Sequence, residues 1–220
     1  MAAVHAGNGL YADLHDFQIT SRNTGLLTAF DPVHCDLQSI GAPRDGAITD
    51  AVFQELDLKT GLVRREWHAL NHVAIADSYP KASAGDARTA FPFDFFHINT
   101  LDPLPDGSML ISSRNTWTIY KLDQRTGRVL TRIGGKQSTV KMGPGTATAW
   151  QHDAVCGAGA GRRRSRARLL CPSRPEPLIR DRSGAHSPPE GPSLKAVRLG
   201  ATRSGPIPPS MAPRLRSWKP

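Results

Sequence analysis

A hairpin written twice is the feature that most constrains the fold. Residues 56–67 read Leu56-Asp57-Leu58-Lys59-Thr60-Gly61-Leu62-Val63-Arg64-Arg65-Glu66-Trp67, and residues 122–133 read Leu122-Asp123-Gln124-Arg125-Thr126-Gly127-Arg128-Val129-Leu130-Thr131-Arg132-Ile133. In both, a strand ends in Leu-Asp, a turn contains Thr-Gly, and the next strand begins at Val. Gly61 and Gly127 supply the positive φ of a tight turn, and Asp57 and Asp123 can accept turn amides. An Asp-Gly step precedes each unit, at Asp45-Gly46 and Asp106-Gly107. Further short strands are expected at Asp16–Thr20, Gly25–Phe30 and Ala51–Asp57, the last with both faces partly covered, and no convincing helical stripe lies between them. The front of the chain is therefore expected to be all-β. Repeated antiparallel units of this size fit a β-propeller best, with a β-sandwich as the alternative. A four-stranded blade takes about 40 to 50 residues, so residues 1–155 are expected to supply about three blades, an incomplete ring.

Charge divides the chain at the same place. Residues 1–155 hold 14 basic and 16 acidic residues; residues 156–220 hold 14 basic and 3 acidic, so the tail accounts for the net charge of +9. Lys and Arg in such numbers invite a nucleic-acid reading. Here Arg162-Arg163-Arg164 and Arg166 stand among prolines with a single aromatic residue, Trp218. That composition cannot bury enough apolar surface to offset the entropy of ordering it. Residues 156–220 are expected to be a disordered Arg/Pro-rich tail, with the composition of a GC-rich gene read out of frame, and no nucleic-acid partner is expected. Cys35, Cys156 and Cys171 have neither CxxC spacing nor an even count, so neither a disulfide framework nor a metal site is indicated. The N-terminus has no basic segment followed by an apolar one, and no apolar run reaches 18 residues, so neither an export signal nor a membrane span is expected.

The chemistry-bearing residues lie outside the hairpins. His15 is in Asp13-Leu14-His15-Asp16-Phe17, His97 in Phe95-Phe96-His97-Ile98-Asn99, Arg114 in Ser112-Ser113-Arg114-Asn115, and His152 in Trp150-Gln151-His152-Asp153. Any one of them alone reads as a structural residue. A polar position repeated in successive units is expected to face a common centre. Together they permit one mechanism: arginine binds an oxyanion, a neutral imidazole attacks, and a second, protonated imidazole gives its proton to the leaving oxygen. An activated anionic ester would be the target. His68 and His72 are four apart, but without a third ligand or a carboxylate base they are not read as a metal pair. Trp67, Trp117, Trp150, Phe93, Phe95 and Phe96 include rings that could grip an aryl group, although core packing is the commoner fate of such residues.

The ordered segments Ala12-Asp13-Leu14-His15-Asp16-Phe17-Gln18, Glu66-Trp67-His68-Ala69-Leu70-Asn71-His72-Val73, Phe96-His97-Ile98-Asn99, Ile111-Ser112-Ser113-Arg114-Asn115-Thr116, Ile133-Gly134-Gly135-Lys136 and Trp150-Gln151-His152-Asp153-Ala154 resemble those of the bacterial arylsulfotransferase family, in its actinobacterial-type branch. The resemblance runs from about residue 9 to residue 154 and then stops. It implies a six-bladed propeller whose funnel moves a sulfuryl group from a phenolic sulfate ester to another phenol, with no nucleotide donor and no cofactor. His152 matches the transiently sulfated histidine, His97 and Arg114 the sulfate-binding and acid-base pair, and His15 a further funnel histidine. The transfer would be ping-pong. Family members are commonly exported, so the missing signal implies an absent leading stretch. A chain with about three blades is expected to be an inactive fragment. The alternative is a non-catalytic propeller that holds an anionic or aromatic ligand.

Overall fold

In the computed structural model, residues 3–82, 92–156 and the backbone of 168–169 are described. The described chain is all-β, with two four-stranded antiparallel meanders. The first holds β1 (Tyr11–Ile19), β2 (Thr24–Cys35), β3 (Gly46–Asp57) and β4 (Val63–His68), joined by the short parallel strand β5 (Phe93–Asp94) on β3. The second holds β6 (Ile98–Pro103), β7 (Ser108–Ser113), β8 (Thr118–Asp123) and β9 (Val129–Gly134). A two-residue strand β10 (Val155–Cys156) pairs in parallel with β11 (Arg168–Leu169).

The repeated hairpins close the last two strands of each meander. Leu56 pairs with Val63 and Leu122 with Val129, with one bulged residue beyond each pair, Arg64 and Leu130. Asp57 Oδ1 accepts the amides of Lys59 and Thr60 at 2.8 and 2.9 Å, and Asp123 Oδ1 those of Arg125 and Thr126 at 2.9 and 2.8 Å. Gly61 and Gly127 sit at φ 73° and 72°. Sequence identity at the turn is thus identity of hydrogen bonding.

Among the described residues the strands thus form a five-stranded sheet, a four-stranded sheet and the two-stranded β10–β11 pair. β2 and β3 each run 12 residues, the described part of the connection after β4 holds two short 3-10 turns, and 135–154 carry no strand. The faces of β3 are both covered. Phe53 and Ala51 join the main core between the sheets, with Trp67, Phe95, Phe96, Leu101, Ile111 and Tyr120, while Val52 and Leu56 belong to a cluster capped by Ala6 and Leu10. Leu110, Ile119 and Ile133 on the outer face of the second sheet are covered by Val140, Met142 and Ala154.

The sheets meet through their first strands. β6 contacts both β1 and β10. Asp16 Oδ2 accepts the Leu101 amide at 2.7 Å, the Gln18 side chain donates to the Leu101 carbonyl, and Asp102 Oδ2 accepts the Cys156 amide at 2.6 Å. Burial raises the Asp16 carboxyl above its ordinary range against those bonds, and Asp153 nearby raises it further. Cys156 is disulfide-bonded and Cys35 is free. Three cysteines without a recognisable spacing carry no pairing information, because a bridge depends on spatial approach alone. The expected tail lies outside the described residues apart from Cys156 and β11. Among the described residues no helix is long and apolar enough to cross a membrane.

Candidate functional site

The site lies where β6 meets β1 and β10, with His15 on β1, His97 just before β6 and His152 on the segment leading into β10. His15 sits on a bulge. Ala12 pairs with Ala29 and Phe17 with Leu27, so four residues of β1 stand opposite one of β2. Bulges of this kind re-aim side chains and gather beside active sites. Thr28 pegs the bulge: its hydroxyl accepts the Asp16 amide and donates to Asp13 Oδ2, both at 3.3 Å. Asp13 Oδ2 also accepts the His15 amide at 3.0 Å and contacts its Nδ1 at 2.5 Å.

His97 immediately precedes β6 with φ 56°. Its carbonyl accepts the Arg114 amide at 3.0 Å, the Phe96 carbonyl accepts the Asn115 amide at 3.1 Å, and the Asp94 carboxylate bonds His97 Nδ1. Positions 97 and 114, just before β6 and just after β7, are therefore tied through the backbone. His152 precedes β10. Gln151 Nε2 donates to the Ser113 and Thr118 carbonyls at 2.8 and 3.2 Å, and its own carbonyl accepts the Asn99 amide group at 2.9 Å. The Asp153 amide donates to Thr100 Oγ1 at 2.9 Å.

Backbone strain concentrates here. Of the six non-glycine residues at positive φ among the described residues, four are His97, Trp117, Trp150 and Asp153. Bulky side chains in the left-handed region cost on the order of 1–3 kcal/mol each and persist only where surrounding structure imposes them.

The rings converge. His15 and His97 have centroids 4.8 Å apart with planes at 81°, and His15 and His152 are 5.7 Å apart at 40°. Phe30 walls the pocket, 6.0 Å from His97 and 6.3 Å from His15. His15 and His97 are 18% and 20% exposed, shielded yet reachable, and His152 is the most open of the three. Desolvation, then the charges of His15, His97 and Arg114, push the His152 imidazole below its ordinary range against the opposing pull of Asp153. Arg114 completes the cluster, its guanidinium carbon 4.3 Å from the centre of the Trp150 ring.

All four expected residues thus come together: His15, His97, Arg114 and His152. Sequence reasoning missed Asp13 and Asp94. Each bonds a histidine Nδ1, which fixes ring orientation and leaves the other nitrogen facing the pocket. Their signal was local, since Asp13 lies two residues before His15 and Asp94 three before His97. The pair His68 and His72 does something else. His68 lies between Asp50 Oδ2 at 2.8 Å and Glu66 Oε1 at 2.9 Å, and His72 stacks on Trp67 at 5.1 Å with planes 2° apart. Of the aromatic residues, Trp67, Phe93, Phe95 and Phe96 are core, whereas Trp150 is 49% exposed beside Arg114.

A protein-family model described as arylsulfotransferase (ASST) matches residues 4–160. No curated protein matches the chain.

Proposed function

Because the chain belongs to the arylsulfotransferase (ASST) family, we propose that the cluster of His15, His97, Arg114 and His152 is an aryl-sulfate site acting by ping-pong transfer through a sulfated His152. The family implies aryl sulfates and phenols as substrates. One observation carries the assignment of roles: His15, His97 and His152, from three separate segments of the chain, come together, and His15 and His97 each have a carboxylate on Nδ1 while desolvation and the charges of its neighbours lower the His152 imidazole.

In the first half-reaction Arg114 holds the sulfate oxygens. A ring nitrogen of His152 attacks sulfur, the nitrogen–sulfur bond forms, and the sulfur–oxygen bond to the aryl group breaks. The departing phenolate takes a proton from His97, whose ring Asp94 orients. In the second, an acceptor phenol gives that proton back to His97 while its oxygen attacks sulfur, and His152 leaves neutral. His15, oriented by Asp13, faces both rings and adds a hydrogen-bond donor to the sulfuryl group.

The two meanders, with β6 contacting β1 and β10, are read as neighbouring blades of a β-propeller, first strands inward. Two blades supply one side of a funnel. Transfer depends on fixed mutual geometry, and about 1 Å of misplacement can cost about 100-fold in rate. This chain alone is therefore expected to bind aryl sulfate without measurable turnover.

The test is calorimetric titration with 4-nitrophenyl sulfate, paired with mass spectrometry of histidine peptides after incubation with the same donor. Saturable binding that Arg114→Gln removes, and a sulfuryl adduct on wild type absent from His152→Ala, are the expected results. A single slow sulfation of His152 is compatible with the absence of turnover. Binding unaffected by either substitution overturns the assignment.

A further inference from the structure

We propose that Trp150 is a positioning residue: its indole face holds the Arg114 guanidinium over the histidine cluster, in the place where a carboxylate would otherwise anchor an arginine. What Arg114 holds rests on the aryl-sulfate reading above; how Arg114 is held does not.

Arg114 makes one side-chain hydrogen bond among the described residues, from Nη1 to Asn115 Oδ1 at 3.2 Å, and no ion pair with a carboxylate there. Its other contact is the ring of Trp150, at 4.3 Å. A guanidinium over an indole is the strongest cation–π pairing among the natural side chains, and it constrains the plane of the cation without using its in-plane donors. A carboxylate would occupy two of those donors and neutralise the charge. The indole leaves the fork free for a bidentate anion.

Trp150 is itself held fast. Its φ is 53°, a conformation a bulky residue adopts only when the surroundings impose it. Its ring packs against Trp117 at 6.0 Å and 57°, and Trp117 stacks on Tyr79 at 3.7 Å and 12°. Lys136 lies 5.1 Å from the Tyr79 ring and donates to the Ala76 and Ser78 carbonyls at 2.9 and 2.6 Å. On the other side Asn115 is pinned by its Nδ2 donating to the Asp94 carbonyl at 2.6 Å. Arg114 is thus clamped between a rigid aromatic tier and a rigid amide. The half-exposure of so large a ring beside the pocket has a use in this arrangement.

The experiment uses the full chain with Trp150→Leu, Trp150→Phe, Trp150→Met and Arg114→Gln. The first readout needs no ligand. The charged and titratable groups bearing on His152 are His15, His97, Arg114 and Asp153, so releasing Arg114 raises the midpoint of the His152 ring titration by NMR. Arg114→Gln, Trp150→Leu and Trp150→Met are expected to raise it together, while Trp150→Phe, which keeps an aromatic face, returns most of the wild-type value. The second readout is the affinity for 4-nitrophenyl sulfate at constant ionic strength: about tenfold weaker in the Leu and Met variants and within about threefold of wild type in the Phe variant. Leu and Met are chemically distinct fillers, so a folding failure of one leaves the other to decide. An unchanged His152 titration in a folded Leu or Met variant overturns the proposal. Absence of 4-nitrophenyl sulfate binding by wild type, with the titration contrast intact, overturns the aryl-sulfate reading and leaves the positioning role standing.

Discussion

Gly135→Ala is expected to damage both stability and the site, and Gly107→Ala stability alone. Both glycines lie in the left-handed region, at φ 69° and 81°, so an alanine at either pays about 1–2 kcal/mol for the conformation. Their surroundings differ. A Cβ on Gly107 would meet nothing within 4 Å, whereas on Gly135 it would lie 2.5 Å from the Thr116 carbonyl oxygen and closer still to Thr118 Oγ1. The first of these is backbone and cannot swing aside. Overpacking of a close-packed site adds roughly 1–3 kcal/mol, which brings Gly135→Ala to about 2–5 kcal/mol in all. Thr116 and Thr118 flank Trp117, and Thr116 bonds the Ser113 hydroxyl next to Arg114 at 2.7 Å. Relief of the clash therefore moves the segment that carries Arg114. Urea unfolding of the two variants measures the stability difference, and calorimetry with 4-nitrophenyl sulfate measures the site. Equal urea midpoints would refute the packing account, and unaltered affinity in a folded Gly135→Ala protein would refute the link to Arg114.

The histidines should titrate on opposite sides of the ordinary imidazole value. His68 loses to burial but gains more from its hydrogen bonds with Glu66 and Asp50, so its pKa is raised, while burial lowers that of His72 and desolvation that of His152. The raised His68 contributes stability that is present below the unfolded pKa and is lost as pH rises through its folded value; the lowered pair costs stability as pH falls below the unfolded value. Proton NMR of the rings, compared with His68→Gln for assignment, checks the order, and a His68 midpoint below that of His152 would contradict it. Thr28→Val keeps the shape of the side chain and removes the peg of the β1 bulge. Loss of about 1 kcal/mol is expected, together with shifted His15 resonances and unshifted His68 ones; an unmoved His15 would mean that Thr28 does not hold the bulge.

Two kinds of information divide this protein. Whatever depends on neighbours in the chain was legible from sequence: the paired hairpins with their Asp-capped, glycine-closed turns, the β-rich character, and the separation of a basic tail by charge. Turn hydrogen bonds close within five residues, so local chemistry decides them. The four residues of the cluster were also singled out, as a repeated polar position and as a family pattern. That they would face a common centre was expected; how they meet was not legible, because it follows from β6 lying against both β1 and β10, a matter of packing between segments up to 137 residues apart in the chain. Tertiary structure alone decided that His15 stands on a bulge, since register is a property of two strands together. It decided that the His152 imidazole is lowered, since desolvation and the charges of His15, His97 and Arg114 come from separate segments of the chain. It also decided how far each strand runs: sequence marks where hairpins turn but not that β2 and β3 pair along all 12 residues.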